Sequence, residues 1–332
     1  MSQGNLKRIQ VHAHRGYAIA LVGIAAWSMT AVFIGYLTSH YDLPPLLLAA
    51  WRDAIAGVTV WLVLRLTRPQ LLHIPRRYWR FILSYGVLLA LYNGLWTISV
   101  VLNGAAVSTV LAYSSAGFTA VIAWRMFGED MNSSKIIAVA AGIIGMMLVA
   151  GAHDPAVWQS NAFGVITGLL SGLVFTGYSL LGKVSSQRGI SSWAALTHTF
   201  LLASLLLSVT NFLLPELRSV KLGNPSLLPT LDLRGWFLLV MLGLIPTIGG
   251  YGLYNYSLTL LPASVVNLMA TLEPAMTAIQ SYILLHERFT TDQIFGSLLI
   301  LAGVVIIHQS ERRRLNVQLA YQTVGEKTPF YH

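Results

Sequence analysis

Apolar residues in this chain are gathered into ten long runs with short polar segments between them. An α-helix needs about 20 apolar residues to cross the hydrocarbon core of a bilayer, whereas a transmembrane β-strand shows only about ten residues of alternating pattern. The pattern therefore predicts an all-α membrane protein with ten transmembrane helices. The predicted spans are residues 16–38, 44–66, 80–102, 105–127, 135–151, 161–183, 193–214, 234–260, 263–285 and 292–309.

The second half of the chain repeats part of the first. The stretch 263–288 matches 105–130 at an offset of 158 positions, an alignment that pairs Glu287 with Glu129. Each copy holds five predicted helices, and because five is an odd number the second copy must enter the membrane from the opposite side. Inverted repeats of this kind are typical of secondary transporters, whose binding sites lie near the middle of the membrane between the halves.

Composition and motifs support membrane insertion and argue against a thiol, nucleotide-binding or zinc site. Of the 332 residues, 55% are hydrophobic and only 10% are charged, against about 25% charged in soluble proteins. The chain has no cysteine, so neither a disulfide nor a thiolate site can form. It also has no phosphate-binding Gly-x-x-x-x-Gly-Lys-Ser/Thr motif, and His286-Glu287 lacks the second histidine of a zinc-binding helix. We therefore predict no cofactor, no metal and no catalytic residue.

The net charge of +9 predicts membrane orientation rather than nucleic-acid binding, because the basic residues lie in short clusters between apolar runs instead of on one face. With the N-terminus in the cytoplasm, most of these clusters fall on the cytoplasmic side, as the positive-inside rule requires. We expect both termini in the cytoplasm and the protein in the cell (inner) membrane. The predicted organisation is an N-terminal tail, two five-helix copies and a basic C-terminal tail, at residues 1–15, 16–151, 161–309 and 310–332.

Two predicted spans carry charged residues away from their ends. A charge at the bilayer centre costs at least a few kcal/mol unless it is paired or hydrated. Glu273 lies ten residues into the ninth span, about 15 Å along a helix axis and hence near the middle of the membrane. It could bind a proton or a substrate amine, with Arg52 of the second span as its charge partner. Alternatively, either residue serves only helix packing, with Asp53 as the local partner of Arg52.

Polar and aromatic side chains share helix faces in the third and eighth spans. Asn93 and Trp96 lie three positions apart, as do Tyr251 and Tyr254, with Asn255 beside them. Such stripes suit a cavity that binds an organic solute through apolar contacts and a few oriented hydrogen bonds, although tryptophan and tyrosine also mark membrane interfaces or simple packing. The predicted substrate-binding residues are Trp27, Thr30, Asn93, Trp96, Tyr113, Tyr178, Tyr254, Asn255, Asn267 and Glu273.

Small residues in the sixth span have a simpler interpretation. Gly164, Gly168 and Gly172 recur every four positions, a spacing that lets two helix backbones approach closely. We expect this row to lie against a neighbouring helix and to serve packing.

Ten helices in two copies, with Leu272-Glu273-Pro274 in the ninth span and Arg52 in the second, resemble the EamA-type branch of the drug/metabolite transporter (DMT) superfamily. Spans four and nine, which end in Gly-Glu and His-Glu, add to the resemblance. It implies a carrier for a small metabolite or amino acid, often an exporter, with a central cavity lined mainly by helices one, three, four, six, eight and nine. The first copy departs from the pattern, since Ala116 stands where Pro274 stands in the second.

From these features we predict a secondary carrier that exports a small organic solute, an amino acid or a related metabolite, by alternating access through a central cavity. Its partners would be that solute and the lipid bilayer, with protons as a candidate coupling ion and without nucleic acid. A carrier for drugs or toxic compounds is the alternative within transport, and it would need a wider and less polar cavity. From other classes, the alternatives are an intramembrane enzyme acting on lipid-linked substrates and a scaffold or receptor.

Overall fold

The computed structural model describes residues 3–115, 118, 122, 125, 133–149, 151, 154–213, 226–260, 269–270, 272–303, 305–306 and 309. Regular secondary structure in these residues is entirely helical. Each of the ten predicted spans contains a described helix. The predicted all-α class is therefore confirmed, while the arrangement in two inverted copies stays a prediction.

The α-helices, numbered in chain order, are α1 (Gln3–His40), α2 (Pro45–Thr67), α3 (Trp79–Asn103), α4 (Ala105–Ala112), α5 (Ser133–Val149), α6 (Pro155–Gln187), α7 (Ser192–Leu213), α8 (Leu233–Leu242), α9 (Tyr251–Leu260), α10 (Glu273–Leu284) and α11 (Thr291–Gly303). Two 3₁₀ turns connect α2 to α3, and a π-helix joins α8 to α9, at Pro69–Leu72, Arg76–Tyr78 and Gly243–Gly250. Six segments of the described chain are long and apolar enough to cross a bilayer, namely Arg15–His40, Pro45–Thr67, Arg76–Asn103, Ser160–Gly182, Ser192–Leu213 and Leu233–Tyr254.

Two helices begin earlier than the apolar pattern predicts. α1 starts at Gln3, so the residues ahead of the first apolar run continue its helix. α6 starts at Pro155, whose fixed backbone angle suits the first position of a helix. It bends at Asn161, where φ is −142° and ψ is 29°. The predicted start of the sixth span at this residue is therefore a kink inside a longer helix.

The most extensive helix contacts in the described part of the chain link helices from opposite halves. α2 packs along α7, α3 packs along α6 and α7, and α1 packs along α9 and α10. One core cluster includes Ile82, Leu89 and Phe200, and a second includes Ile34 and Leu239. Because lipid tails are as apolar as leucine, close packing rather than water exclusion holds such helices together. A cavity between the halves is consequently enclosed by helices from both.

The glycine row of α6 packs as predicted. A Cβ atom at Gly164 would lie 2.8 Å from Asn103 Oδ1, and one at Gly168 would lie 2.9 Å from Ser99 Oγ, closer than real Cβ contacts come. Only glycine therefore lets α6 approach α3 to this distance. Asn103 Nδ2 uses the approach to donate to Gly164 O at 2.8 Å. The packing interpretation of this row is confirmed.

The two ends of the bundle carry different contacts. At one end, the Arg188 guanidinium lies 4.5 Å from the centre of the Phe81 ring, so the end of α6 is next to the start of α3. At the other end, Asn161 Nδ2 donates to Asn103 Oδ1 at 2.9 Å and joins the kink of α6 to the end of α3. Glu287 lies at this second end, beside the start of α4. These are called the Arg188 end and the Glu287 end below.

Candidate functional site

A chamber of about 500 Å³ lies between the halves, towards the Arg188 end of the bundle. Its wall includes the exposed residues Ser192 and Trp193 at the start of α7, so the chamber reaches the protein surface at that end. Helices α1 and α3 of the first half contribute to it, as do α6, α7 and α9 of the second. The lining residues are Trp27, Tyr85, Tyr178, Gly182, Ser185, Ser192, Trp193, Ala195, Leu196 and Tyr254.

Aromatic rings dominate the wall of the chamber. Trp27 and Tyr254 meet edge to face with ring centres 5.7 Å apart. Tyr85 and Tyr178 lie closer, at 4.6 Å, with their planes tilted by 33°. Aromatic pairs at these distances are mutually favourable and hold each other in place. The chamber is therefore suited to the apolar part of an organic solute.

A small recess of about 30 Å³ shares one wall with the chamber. Trp27 lines both cavities, so the two cavities adjoin at this residue. A volume of this size holds about two water molecules. Charged side chains reach the recess, and they do not reach the described wall of the chamber. The residues that line the recess are Trp27, Thr30, Arg52, Tyr92, Asn93, Trp96, Phe200, Thr247 and Glu273.

Arg52 forms a buried ion pair at the recess. Its Nε donates to Asp53 Oδ1 at 3.1 Å, and its Nη2 lies 3.1 Å from the same oxygen. Asn93 Nδ2 donates to the other carboxylate oxygen, Asp53 Oδ2, at 2.7 Å. Both oxygens of the fully buried carboxylate are thus satisfied, as burial of an ion pair requires. The ion-pair partner of Arg52 is its chain neighbour rather than Glu273, and a coupling role for Arg52 and Glu273 stays a prediction.

Glu273 contacts the first half of the chain through Tyr113. The Tyr113 hydroxyl lies 2.9 Å from Glu273 Oε2 and 2.8 Å from Ala270 O. In an uninterrupted helix the Ala270 carbonyl would accept from the residue four positions later. That residue is Pro274, which has no N–H. The Tyr113 hydroxyl therefore donates to the carbonyl that would otherwise accept from a backbone N–H at position 274.

The geometry of this contact depends on the protonation of Glu273. A phenol has one proton, so Tyr113 cannot donate to both oxygens at once. When Glu273 is protonated, it donates to the phenol oxygen while Tyr113 donates to Ala270 O, and every group has a partner. When Glu273 is ionised, the phenol donates to the carboxylate and the Ala270 carbonyl loses its partner, at a cost of roughly 1–3 kcal/mol. Proton binding at Glu273 is thus linked to the direction in which Tyr113 donates.

The helices that carry this contact are interrupted beside it. α4 ends at Ala112, and a turn follows at Tyr113 and Ser114. A turn at Leu272 precedes α10. At the offset of 158 between the copies, position 114 aligns with position 272. The described parts of spans four and nine, predicted as continuous helices, are therefore broken at matching positions, and in the second copy Pro274 supplies a physical reason. Transporters commonly bind solutes where helices are interrupted in this way.

The π-helix between α8 and α9 brings Thr247 to the recess. Pro246 lies inside this segment and cannot donate to the Leu242 carbonyl. Thr247 Oγ1 donates to that carbonyl at 2.9 Å. Single π turns are frequent at functional sites. Here the turn leaves the threonine hydroxyl with only lone pairs to offer to the recess.

Most of the residues predicted from the sequence come together around these two cavities. The recess contains Thr30, Arg52, Asn93, Trp96 and Glu273, the chamber contains Tyr178 and Tyr254, and Trp27 belongs to both. Tyr113 joins the group through its contact with Glu273. Asn255 lies in α9, with its side chain outside the described residues, and Asn267 lies outside them altogether.

Sequence reasoning missed several lining residues, among them Tyr85, Tyr92 and Trp193. The first two had a detectable signal, because they precede Trp96 by eleven and four positions and so share one face of α3. Trp193 had none, because a tryptophan at the end of an apolar run is also typical of a membrane interface. Within the described residues, no three His, Asp or Glu side chains come together as a metal site would need.

The fold and the cavities define a multi-pass helical membrane protein whose two halves enclose a polar site. The sequence pattern of the EamA-like transporter family matches residues 14–151 and 162–309. The chain belongs to this family, and it is therefore a membrane transporter of the drug/metabolite transporter superfamily.

Individual relatives are distant. An uncharacterized transporter of Synechocystis sp. is 26% identical over 226 residues, which cover 67% of this chain and 64% of the relative, slightly less than two thirds of its length. A probable amino-acid metabolite efflux pump of Escherichia coli (strain K12) is 23% identical over 294 residues, covering 87% of this chain and 93% of the relative. One solved crystal structure is similar with a TM-score of 0.58 at 16% identity, covering 89% of this chain and 97% of that chain, and it supports the fold alone.

Proposed function

We propose that this protein exports an amino acid or a related metabolite across the cell membrane by alternating access. The observation that carries the proposal is the pair of cavities between the halves. The aromatic chamber suits the apolar part of a solute, and the recess offers Glu273 and Arg52 to its charged part. A relative named as a probable amino-acid metabolite efflux pump supports this class of solute.

Alternating access requires a site that is open at one end while it is closed at the other. The chamber reaches the surface at the Arg188 end, near Ser192. At the opposite end, the Glu287 carboxylate accepts from the backbone N–H groups of Ala105 at 2.8 Å and Ala106 at 3.4 Å, and so joins the second half to the first. With the N-terminus in the cytoplasm, the chamber would open to the cytoplasm, which is the loading state of an exporter.

The proposed inverted copies supply a route to the opposite state. The offset that pairs Glu287 with Glu129 also pairs Ala105 with Ala263. When the chamber closes at the Arg188 end, Glu129 would accept from the backbone N–H groups that begin at residue 263. The contact between Glu287 and α4 would break in the same step. Each state would thus be held by the same kind of carboxylate contact at a helix start.

Glu273 is the proposed site of charge exchange. In its ionised form it would bind the ammonium group of the solute, and after release it would take up a proton and donate to Tyr113. A solute and a proton that compete for one carboxylate would cross the membrane in opposite directions. This gives export that is driven by proton entry.

The test is transport by the purified protein in liposomes. We expect liposomes loaded with labelled L-phenylalanine to release it faster than protein-free liposomes, and unlabelled large apolar amino acids to compete. An inward proton gradient should accelerate the release. Competition by ethidium but not by amino acids would favour the drug-efflux alternative, and release no faster than from protein-free liposomes for every amino acid would overturn the proposal.

A further inference from the structure

The indole N–H of Trp96 has no hydrogen-bond partner within the described part of the chain, although only 5% of the residue is exposed. Buried N–H groups are nearly always paired, so an unpaired one requires an explanation. Trp51 shows the usual arrangement, since its Nε1 donates to Leu227 O at 2.8 Å. Trp96 lines the recess, where a bound group could accept the missing bond.

Arg52 adds a second donor to the same cavity. Its Nε and Nη2 are directed at Asp53 Oδ1. The structure places no partner from the described residues on the second terminal nitrogen, Nη1. Arginine and the indole N–H can only donate. The part of the recess wall that α2 and α3 contribute therefore has two donors, Trp96 Nε1 and Arg52 Nη1, that have no acceptor among the described residues.

Other residues that line the recess carry acceptors. Thr30 Oγ1 donates to Trp27 O at 2.6 Å, and Thr247 Oγ1 donates to the Leu242 carbonyl. Both hydroxyl protons are thus used, and only lone pairs remain for a bound group. Glu273 lies with these threonines in the wall of the recess, on a different element. The unused donors thus come from α2 and α3, and the threonine and carboxylate acceptors come from α1, α10 and the π-helix.

We infer that the recess binds the zwitterionic head group of an α-amino acid. The carboxylate would accept from Trp96 Nε1 and Arg52, and the ammonium would donate to Glu273 and the two threonine hydroxyls. The side chain of the amino acid would extend past Trp27 into the chamber. This inference rests on the proposed function and narrows the class of its substrate.

The two volumes agree with this division of the solute. The recess, at about 30 Å³, has room for a small polar head group but not for a whole amino acid. The chamber, at about 500 Å³, has room for a large apolar or aromatic side chain. A solute with a carboxylate but no amine would leave the acceptors unused, and one with an amine but no carboxylate would leave the donors unused.

The inference is tested by removing the carboxylate from the solute and the N–H from the protein. Binding of L-phenylalanine and of L-phenylalaninamide to the full-length protein is measured by thermal stabilisation over a range of concentrations. We expect the amide to bind on the order of tenfold more weakly, because a hydrogen bond to a charged group is lost. Trp96→Phe should bring the two affinities closer together, because the charged carboxylate of phenylalanine loses a stronger hydrogen bond than the neutral carbonyl of the amide does. The control Trp51→Phe removes an indole N–H outside the recess and should leave the ratio unchanged.

The outcomes separate this inference from the proposed function. Equal binding of acid and amide by the wild-type protein would overturn the carboxylate assignment while leaving transport intact, and this comparison does not depend on whether a variant folds. A full preference for the acid in Trp96→Phe would also overturn it. A protein that neither binds nor transports any amino acid would remove the proposed function and this inference together.

Discussion

Two carboxylates of the second half contact the first half, and their surroundings differ. Glu287 accepts from the backbone N–H groups of Ala105 and Ala106 at the start of α4, where the helix dipole also favours negative charge. Glu273 instead shares the single proton of Tyr113 with a carbonyl that has lost its helical partner. The first site gives its carboxylate two backbone donors, and the second can satisfy its groups fully only when a proton is added.

The difference suggests which carboxylate holds the structure and which one works on the solute. A carboxylate that accepts from backbone N–H groups at a helix start is suited to a contact between the halves that forms in one state of the carrier and breaks in the other. A carboxylate whose partner must reorient when it ionises is suited to exchanging a proton for another cation. Substitutions at these two positions should therefore have different effects.

Glu273→Gln should have the largest effect on transport. Glutamine keeps the shape of the side chain but cannot exchange a proton or pair with an ammonium group, so we expect a loss of about 10- to 100-fold in transport rate, the equivalent of one charged hydrogen bond. Efflux of labelled L-phenylalanine from liposomes measures it. The control is the double variant Glu273→Gln/Gln280→Glu, which returns a carboxylate to α10 but on the side that contacts α1. It should not restore transport, because the carboxylate is not in the recess. Unchanged transport in a correctly inserted Glu273→Gln protein would remove this residue from the mechanism.

Tyr113→Phe should have the next largest effect, and it should appear in stability. The Ala270 carbonyl and Glu273 both lose their partner, which we expect to lower the free energy of unfolding by about 1–3 kcal/mol. The unfolding temperature in detergent measures the change. Tyr282→Phe is the matched control, because that hydroxyl is exposed and accepts only from Arg288 Nη1 at 3.3 Å. A Tyr113→Phe protein as stable as the control would contradict the linked geometry of Tyr113 and Ala270.

Glu287→Gln should shift the balance between the two states by a smaller amount. Loss of the charge at the start of α4 costs about 1 kcal/mol, or roughly a fivefold change in the ratio of the two states. Because the chain has no native cysteine, the labelling rate of a single Leu196→Cys, at a half-buried residue of the chamber wall, reports how often the Arg188 end is open. We expect labelling to slow in the variant, by at most about fivefold. Asp154→Asn, an exposed helix cap at the same end, should leave the rate unchanged, and equal rates in all three proteins would show that the Glu287 contact does not control opening.

Asp232→Asn should have the smallest effect and only on the pH dependence of stability. Asp232 lies outside the membrane spans, and the backbone N–H of Gly235, which its carboxylate accepts at 2.7 Å, lowers its pKa below the usual 3.8. Since the folded pKa is below the unfolded one, the stabilisation is complete above the unfolded pKa and is lost as the pH falls through the folded pKa. Asparagine also caps helices well, so the two proteins should differ little at neutral pH. Between about pH 6 and about pH 3 the wild-type protein should lose stability relative to the asparagine variant, which does not titrate, and a difference that stays constant over this range would contradict this role.

The sequence was sufficient for the all-α class because spanning helices require long apolar runs whatever their neighbours are. It also drew attention to Glu273, because an acid in the middle of such a run needs a partner or water, and the residue lies in the wall of the recess. The breaks in spans four and nine were harder to predict. Pro274 is visible in one copy, but the aligned residue in the other is alanine.

Side-chain pairing inside the membrane could not be predicted in the same way. Arg52 had two possible partners, and the choice of Asp53 depends on the rotamers that Asn93 and the surrounding helices allow. The sequence placed Trp96 on a polar stripe but could not show that its N–H lacks a partner, because that depends on every acceptor nearby. The burial and orientation of a side chain depend on how the two halves pack, and the hydrophobic pattern of a single helix does not determine them.

The position of Trp27 has a consequence for how such a carrier can diversify. The recess and the chamber have Trp27 in common and otherwise different lining residues. In the proposed binding mode, the residues that contact the common part of a solute are therefore different from those that contact its variable part. Substitutions around Tyr85, Tyr178 and Trp193 would then alter which compounds are accepted without disturbing the charges in the recess. New cargo could be acquired through the chamber while the driving chemistry of the recess is inherited intact.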